Sequence, residues 1–499
     1  MKRMIALLLC LCFALGGCAQ GKTEYHTENG GAKPEPSPAP IAAESFEALA
    51  LGLAAVPDLP EEPDENAFWE QTAALDFDAL GESKYNEAYD KLWNEFSAKR
   101  DAYYEAVDAL RGEGVDPALT GAFASYTLRT ARQLMENETE KNVVYSPANL
   151  YLALCMLAET ADGESRAQLL ELLGLSDVEQ ARKAANSLWR SLYRDGADGK
   201  TLLANSLWLN EQVSFKQETV DRLTNDYFAS AFRAKMGEGA TDEAIHAWIN
   251  ENTNHLLENA ANGIQTDADT LMLLISTLYF KGTWADQFSE GATSEDTFTS
   301  ASGAEQKIDF MHTSKNGTYY RGENFTVASL PFTDGTAMWF LLPDEGVSAD
   351  ELWPKVQGLP MTAVTTTEGC YEAPAFDLLA QEGYGEIHWS VPKFDVDSDL
   401  DLIPALRSLG VTDVFTDSAD FSPLTDVDAL LSAVKHAARV KVDEEGCEAA
   451  AFTSMMVGAT SAMPEPLPVV EMDLNRPFGF LITGADGLPL FVSIVNTVE

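Results

Sequence analysis

A run of small, uncharged residues near the C-terminal end of the chain could exist either as an exposed loop or as a buried β-strand. In an extended chain successive side chains point to opposite faces, so every second residue lies on the same side. From position 447 one such face carries Cys447, Ala449, Ala451, Thr453, Met455, Val457 and Ala459. None of these side chains is charged, so the face could enter a sheet without burying a charge. The pattern predicts a loop that can become a strand.

Signatures of hydrolytic or metal-dependent catalysis are missing from the sequence. It contains no His-Glu-x-x-His and no Gly-x-Ser-x-Gly, the motifs that place metal ligands on a helix or a nucleophile on a tight turn. Ser432 and Lys435 fit Ser-x-x-Lys, but the companion motifs Ser-Asp-Asn and Lys-Thr-Gly do not occur. We therefore expect no catalytic residue, no metal site and no cofactor.

The small-residue run resembles the hinge of the serpin reactive loop, in which an acidic residue, a glycine and a small hydroxyl residue precede several alanines. The corresponding residues here are Glu444, Gly446, Cys447, Ala449, Ala450, Ala451 and Thr453, with Arg476-Pro477-Phe478 downstream. Cys447 stands where serpins usually carry Thr or Ser. It keeps the small size that insertion needs, and an exposed thiol there could also be oxidised or capped.

Further matches to the serpins follow in the family's order along the chain. They fall at 142–147, 154–157, 163–168, 203–208, 279–284, 391–394, 409–411 and 419–422. The resemblance covers residues 117–499 and implies an α+β serpin fold with a central β-sheet that accepts the reactive loop, further sheets and a helical layer. Hydrophobic spacing predicts helices at 118–135, 147–173 and 242–260, and apolar runs predict strands at 202–209, 271–280, 336–342, 386–396, 466–474, 478–483 and 489–495.

The resemblance implies a protease inhibitor that acts as a suicide substrate. The partner would be a serine protease, or alternatively a cysteine protease, which forms an acyl-enzyme with the loop and is trapped when the loop inserts into the central sheet. The alternative is a non-inhibitory serpin that serves as a surface binding or scaffold module. Cys447, Phe452 and the long segment before Arg476 favour that alternative.

The usual hinge length places the scissile bond between Thr460 and Ser461. Small residues surround this bond, so shallow-pocket proteases of the elastase or subtilisin type are the expected targets. The segment that follows is longer than is common in the family. Cleavage after Ala459, Ala462 or Met463 is therefore an open alternative.

Serpins control the opening of the central sheet with a cluster of polar residues beneath it. By match of motifs the corresponding positions are Ser146, Asn149, Ser276 and His436, with Trp284 near the top of the sheet. The family usually has Ser at the second position and Asn at the third, so the two are exchanged here. The cluster could keep its hydrogen-bonding groups with a different geometry.

The N-terminal residues predict export and lipidation. Lys2 and Arg3 precede an apolar run that is too short to span a bilayer, as in a signal peptide over residues 1–17. The run ends in Leu-Gly-Gly-Cys18, which resembles a bacterial lipobox and implies cleavage before Cys18 and lipidation of its sulfur. We therefore expect an exported protein held at the bacterial surface or membrane by a lipid anchor.

Two further segments separate Cys18 from the serpin-like region. Residues 18–63 contain several prolines and predict a linker. Residues 64–116 have apolar residues at helical spacing and predict a helical stalk or hairpin, with a partner-binding module as the alternative.

Composition sets the remaining limits. The formal net charge of −46 disfavours binding to nucleic acid or to an anionic membrane surface. Once Cys10, Cys12 and Cys18 are assigned to the signal peptide and the lipid, Cys155, Cys370 and Cys447 remain, too few for a disulfide framework. We expect a monomer.

Overall fold

The structure is a computed structural model that describes residues 5–11, 46–54, 56–57, 59–112, 114–136, 138–196, 199–257, 263–356, 381–447 and 467–498. The helices are α1 (Glu65–Ala73), α2 (Phe77–Leu80), α3 (Glu82–Arg111), α4 (Pro117–Met135), α5 (Pro147–Thr160), α6 (Gly163–Leu173), α7 (Val178–Leu192), α8 (Gln217–Asp226), α9 (Gly239–Asn252), α10 (Leu352–Lys355) and α11 (Ile403–Ser408). Short 3-10 helices lie at Phe46–Leu49, Glu290–Ala292, Ala349–Glu351 and Asp413–Phe415.

The strands form two large sheets. They are β1 (Ile5–Leu11), β2 (Ala50–Gly52), β3 (Val143–Tyr145), β4 (Arg194–Asp195), β5 (Gly199–Asn210), β6 (Ala229–Ala234), β7 (Thr270–Thr283), β8 (Thr293–Thr299), β9 (Glu305–Arg321), β10 (Phe325–Pro331), β11 (Ala337–Pro343), β12 (Gln381–Pro392), β13 (Phe394–Asp401), β14 (Ala429–Val442), β15 (Gly446–Cys447), β16 (Val469–Asp473), β17 (Phe478–Thr483) and β18 (Pro489–Val495).

The order across the central sheet is β13, β14, a position shared by β1 and β15, then β7, β5, β6 and β2, with β4 paired to the end of β5. Strands β1 and β15 lie between β14 and β7. Nearly every residue of β7 is buried, which agrees with its mostly apolar sequence, since a strand covered on both faces has no solvent side. The second sheet has the order β16, β12, β9, β10, β11, β17, β18 and β3, with β8 on β9.

One helix joins the two sheets through the core. Every residue of α5 is buried, and the helix contacts β7 of the central sheet and β18 of the second sheet. The α+β architecture expected from the sequence is confirmed, with a layer of helices against two multi-strand sheets.

Several element boundaries differ from the predicted ones for local backbone reasons. The helix predicted over 147–173 is two helices, because Ala161 is extended and Gly163 adopts a positive φ of 55°. The helix predicted over 242–260 ends at Asn252, and Asn254 and His255 that follow have left-handed φ values of 48° and 60°.

The segment of residues 46–111, called the extension below, packs on the rest of the molecule. Phe68 of α1 stacks on Phe96 of α3 at 4.6 Å between ring centres, and Leu110 near the end of α3 joins the main core. Strand β2 pairs with β6 and thereby adds a strand to the edge of the central sheet. No helix within the described ranges is long and apolar enough to cross a membrane.

Candidate functional site

The hinge (residues 443–447) enters the central sheet between β14 and β7. After β14 ends at Val442, the chain turns, and Cys447 pairs back with Val442 on one side and with Gly282 on the other. The side chain of Asp443 closes the turn by accepting hydrogen bonds from the backbone N–H groups of residues 445 and 446 at 3.1 and 3.3 Å. Cys447 is only 3% exposed. The beginning of the loop therefore already occupies a strand position.

Glycine at position 446 is required by a close backbone approach. A Cβ atom there would overlap the carbonyl group of Gly282 on the neighbouring strand. Only a residue without a side chain lets the hinge pair with β7 at this point.

The carboxylate of Glu444 anchors the hinge to two other segments. Its Oε2 lies 2.8 Å from Lys393 Nζ, and its Oε1 accepts a hydrogen bond from Thr293 Oγ1 at 2.9 Å. Burial alone would raise the pKa of Glu444, but the hydrogen bonds and the charge of Lys393 outweigh it and hold the pKa below its ordinary value. Glu444 thus stays ionised and fixes the position at which the hinge turns.

Trp284 supports the hinge from the end of β7. Its indole N–H donates to the carbonyl oxygen of Asp443 at 3.0 Å, and its ring stacks on Phe332 with centres 4.4 Å apart. A Cβ atom on Gly282 would lie 2.8 Å from the ring of Phe332, so these two residues are also in close contact.

The gap between β7 and β14 holds a strand in its other half as well. Strand β1 runs parallel to both neighbours, from Ala6 opposite Thr270 to Leu11 opposite Ser276 on β7. The described structure thus shows the gap occupied at one end by the hinge and at the other by β1.

The polar residues assigned to sheet opening lie together beneath the central sheet. The backbone N–H of Ser146 donates to His436 Nε2 at 2.9 Å, and the side-chain amide of Asn149 donates to the carbonyl oxygen of Ser276 at 3.0 Å. All four residues are nearly fully buried. Trp284 is not part of this group, because it lies at the hinge.

Three polar atoms of this group have no hydrogen-bond partner among the described residues. They are Asn149 Oδ1, Ser276 Oγ and His436 Nδ1. A buried polar atom without a hydrogen-bond partner lowers the stability of the folded protein. A water molecule or a different arrangement of the sheet would stabilise this group by supplying the partners. The side-chain amide of Asn149 reaches from α5 to the backbone of Ser276 in β7.

His436 is expected to make stability depend on pH. Its Nε2 accepts a hydrogen bond, so the ring is neutral, and burial lowers its pKa to about 3. Between about pH 6.5 and pH 3 the unfolded chain binds a proton here and the folded protein does not. Stability is therefore lost as the pH falls through this window, by about 1.4 kcal/mol for each pH unit at most.

The measurement is urea unfolding of the wild type and of His436→Gln at pH 7 and pH 5. We expect the stability advantage of the wild type over the variant to shrink by about 2 kcal/mol at pH 5. An equal loss of stability in both proteins would show that His436 is not the group responsible.

Other predicted site residues lie outside the described residues. These are the lipidation site Cys18, the hinge residues Ala449, Ala450, Ala451 and Thr453, and the bond between Thr460 and Ser461. Of the predicted hinge, Glu444, Gly446 and Cys447 are described. Among the residues that the structure covers, no group of three or more His, Cys, Asp or Glu side chains could hold a metal ion.

Comparison with protein families decides the identity of the fold. The model of the family "Serpin (serine protease inhibitor)" matches residues 122–497. The chain belongs to the serpin family. Serpins are typically protease inhibitors, and some members are non-inhibitory.

This serpin is similar to several relatives over most of their length. It is 26% identical over 372 residues to serpin-ZX of Arabidopsis thaliana, covering 71% of this chain and 91% of the relative. It is 27% identical over 401 residues to alpha-1-antiproteinase S of Cavia porcellus, covering 78% and 93%. The native-state crystal structure of the thermophilic serpin tengpin matches with a TM-score of 0.65 and 26% identity, covering 77% of this chain and 96% of that one.

Three residues at the serpin hinge were not singled out by sequence reasoning. Lys393 and Thr293 hold the carboxylate of Glu444, and Phe332 covers Trp284. Lys393 lies in the matched segment 391–394, which is a signal that could have identified it. Thr293 and Phe332 lie outside every matched segment.

Proposed function

We propose that this serpin inhibits serine proteases outside the cytoplasm by suicide-substrate trapping. One observation carries the proposal, namely that strand β15 already pairs with β14 through Cys447 and with β7 through Gly446 and Cys447 at the end of the gap. Extending this antiparallel pairing would add ladder hydrogen bonds along both neighbours.

The reaction begins as ordinary proteolysis. The protease serine attacks the carbonyl carbon of Thr460, the bond to Ser461 breaks, and the new amine of Ser461 leaves with a proton, so that Thr460 becomes the acyl group of an ester with the serine. The freed loop then inserts from Cys447 onward and carries the protease with it. Continuing the pairing of Cys447 with Gly282 and Val442 would place Thr453 between Ser276 and His436, two of the polar residues beneath the sheet.

The residues around the proposed bond favour proteases with shallow specificity pockets. The segment Gly-Ala-Thr-Ser-Ala-Met at 458–463 offers only small or unbranched side chains and no Arg or Lys. Elastase-like and subtilisin-like enzymes accept such residues, whereas a trypsin-like pocket requires a cation.

The test uses residues 19–499 with pancreatic-type elastase, subtilisin, trypsin and a papain-like protease. Denaturing gels detect a covalent complex, and mass spectrometry of the released peptide locates the cleaved bond. We expect a complex with the elastase-like or the subtilisin-like enzyme. Loop cleavage by every enzyme without any complex would overturn the proposal and favour a non-inhibitory binding module.

We further propose that cleavage before Cys18 and lipidation of its sulfur tether the mature protein to a membrane surface. Removal of residues 1–17 would also remove β1, in which Leu11 lies opposite Ser276, and would leave this place in the gap to Thr453 of the loop. Cys18→Ser is expected to release the protein from the membrane fraction of cells that export it. If the variant stays in that fraction and keeps its detergent-phase partitioning, the anchor is not at Cys18.

A further inference from the structure

An ion pair joins the extension to the serpin region of residues 117–499, called the body below. It lies close to the hinge end of the central sheet. Arg194 Nη2 lies 3.2 Å from Glu62 Oε1, and the two side chains are only 13% and 9% exposed. Neighbouring Tyr103 of α3 is 1% exposed, and burial together with the charge of Glu62 raises its pKa to about 12. A Cβ atom on Gly196 would overlap the carboxylate of Glu62, so the body also fits closely around this residue.

Arg194 also contacts the turn between β10 and β11. Its Nη1 donates to the carbonyl oxygen of Asp334 at 2.7 Å, and its Nε lies 3.9 Å from the carboxylate of the same residue. That carboxylate is fully buried and accepts the backbone N–H of Thr336 at 3.0 Å. The hydrogen bond to the carbonyl oxygen of Asp334 thus fixes the turn, and the guanidinium lies beside the buried carboxylate.

The turn carries the aromatic residue that supports the hinge. Phe332 N–H donates to the carbonyl oxygen of Thr336 at 2.9 Å, and Thr333 N–H donates to that of Thr283 at the end of β7 at 2.8 Å. The ring of Phe332 stacks on Trp284, whose indole N–H holds the backbone of Asp443. A continuous set of contacts therefore runs from Glu62 to the hinge.

We infer that Arg194, oriented by Glu62 of the extension, is a positioning residue that holds Phe332 and Trp284 where they keep the hinge between β14 and β7. The contacts exist in the arrangement in which Cys447 is buried, so their loss destabilises that arrangement relative to one with the hinge outside the sheet. The extension therefore contributes to the position of the hinge from which the loop inserts. Its effect on trapping rests on the proposed function, but its effect on the hinge does not.

The reactivity of the Cys447 thiol reports the position of the hinge without any protease. The protein of residues 19–499 is treated with iodoacetamide well below its melting temperature, and the modified peptides are quantified by mass spectrometry. We expect Glu62→Ala to react at Cys447 about five times faster than the wild type. Glu61→Ala, which removes the same charge from an exposed neighbour, is the matched control and should react like the wild type.

The alkylation rate of Cys155 distinguishes release of the hinge from a general loss of packing, because this thiol is fully buried in α5. Its slow reaction should be unchanged in Glu62→Ala. Equal Cys447 rates in the two glutamate variants, or a parallel acceleration at Cys155, would overturn the inference.

A double-mutant cycle tests whether Glu62 acts through Arg194. We expect Arg194→Met to react at Cys447 about tenfold faster than the wild type, and the combination with Glu62→Ala to add nothing further. Additive effects would contradict the proposed route.

Trapping assays on the same variants then distinguish the two proposals. If the wild type forms a protease complex, Glu62→Ala should shift the products from complex toward cleaved protein and Glu61→Ala should not. If no variant forms a complex while Cys447 still responds to Glu62, the proposed inhibition fails and the positioning role stands.

Discussion

Cys447→Arg is expected to convert the protein from an inhibitor into a substrate. Position 447 is 3% exposed and already lies between Val442 and Gly282, so an arginine there would keep the hinge out of the sheet in the intact protein and would have to bury its cationic side chain when the loop inserts. A cost of about 3 kcal/mol on the insertion barrier slows insertion about 100-fold, which lets the protease hydrolyse the acyl-enzyme first. Denaturing gels should show cleaved protein and little or no complex.

Cys447→Ser is the control for this variant. Serine is small and uncharged, and we expect it to support insertion as cysteine does. Undiminished trapping by Cys447→Arg would mean that the inserted face is not the one that begins at position 447. Reduced trapping by Cys447→Ser would instead indicate a specific role for the thiol.

Glu444→Lys is expected to release the hinge from its anchor. The substitution replaces an ion pair of 2.8 Å with two ammonium groups facing each other and also removes the acceptor for Thr293. Loss of charge-assisted hydrogen bonds at a partly exposed site costs about 2 kcal/mol. We expect lower stability toward guanidinium chloride and faster alkylation of Cys447.

Charge exchange provides the matched rescue. Glu444→Lys combined with Lys393→Glu restores opposite charges and should recover most of the lost stability. Glu445→Lys makes the same change at the adjacent position and should leave the Cys447 alkylation rate near that of the wild type. If Glu445→Lys and Glu444→Lys behave alike, net charge and not the pair with Lys393 governs the hinge.

The fold was predictable because many local matches agree in order along the chain. The loop hinge and the segments around Trp284 and Lys393 each constrain the backbone, and together they point to the same α+β fold. The boundaries of α5 and α9 were less predictable. They depend on backbone conformations at Gly163 and Asn254 that hydrophobic spacing does not encode.

The contacts around the hinge could not be predicted from the sequence in the same way. Glu444 and Lys393 are far apart in the chain, and Glu62 and Arg194 are separated by 132 positions. Their pairing depends on how the sheets and the extension pack, so a match of motifs can point to Lys393 as a residue but a single sequence does not show which residue it pairs with. The helical spacing of the extension predicts a helix but not which of its residues contact the body.

The N-terminal apolar run shows how one sequence property suits two environments. A stretch of aliphatic residues such as Ile5–Leu11 suits the core of a bilayer as a signal peptide, and it equally suits a gap in a buried sheet. If the signal peptide is cleaved as proposed, the mature protein lacks β1, and the loop can occupy the gap.

The central claim, that the loop inserts between β14 and β7, is tested most directly by comparing the thermal unfolding of intact and loop-cleaved protein. Cleavage should break the covalent connection between the loop and β16 and let the loop add a strand to the central sheet. The account predicts that the cleaved protein unfolds at a clearly higher temperature than the intact one. A cleaved protein that unfolds at the same or a lower temperature would contradict insertion, whatever complexes the proteases form.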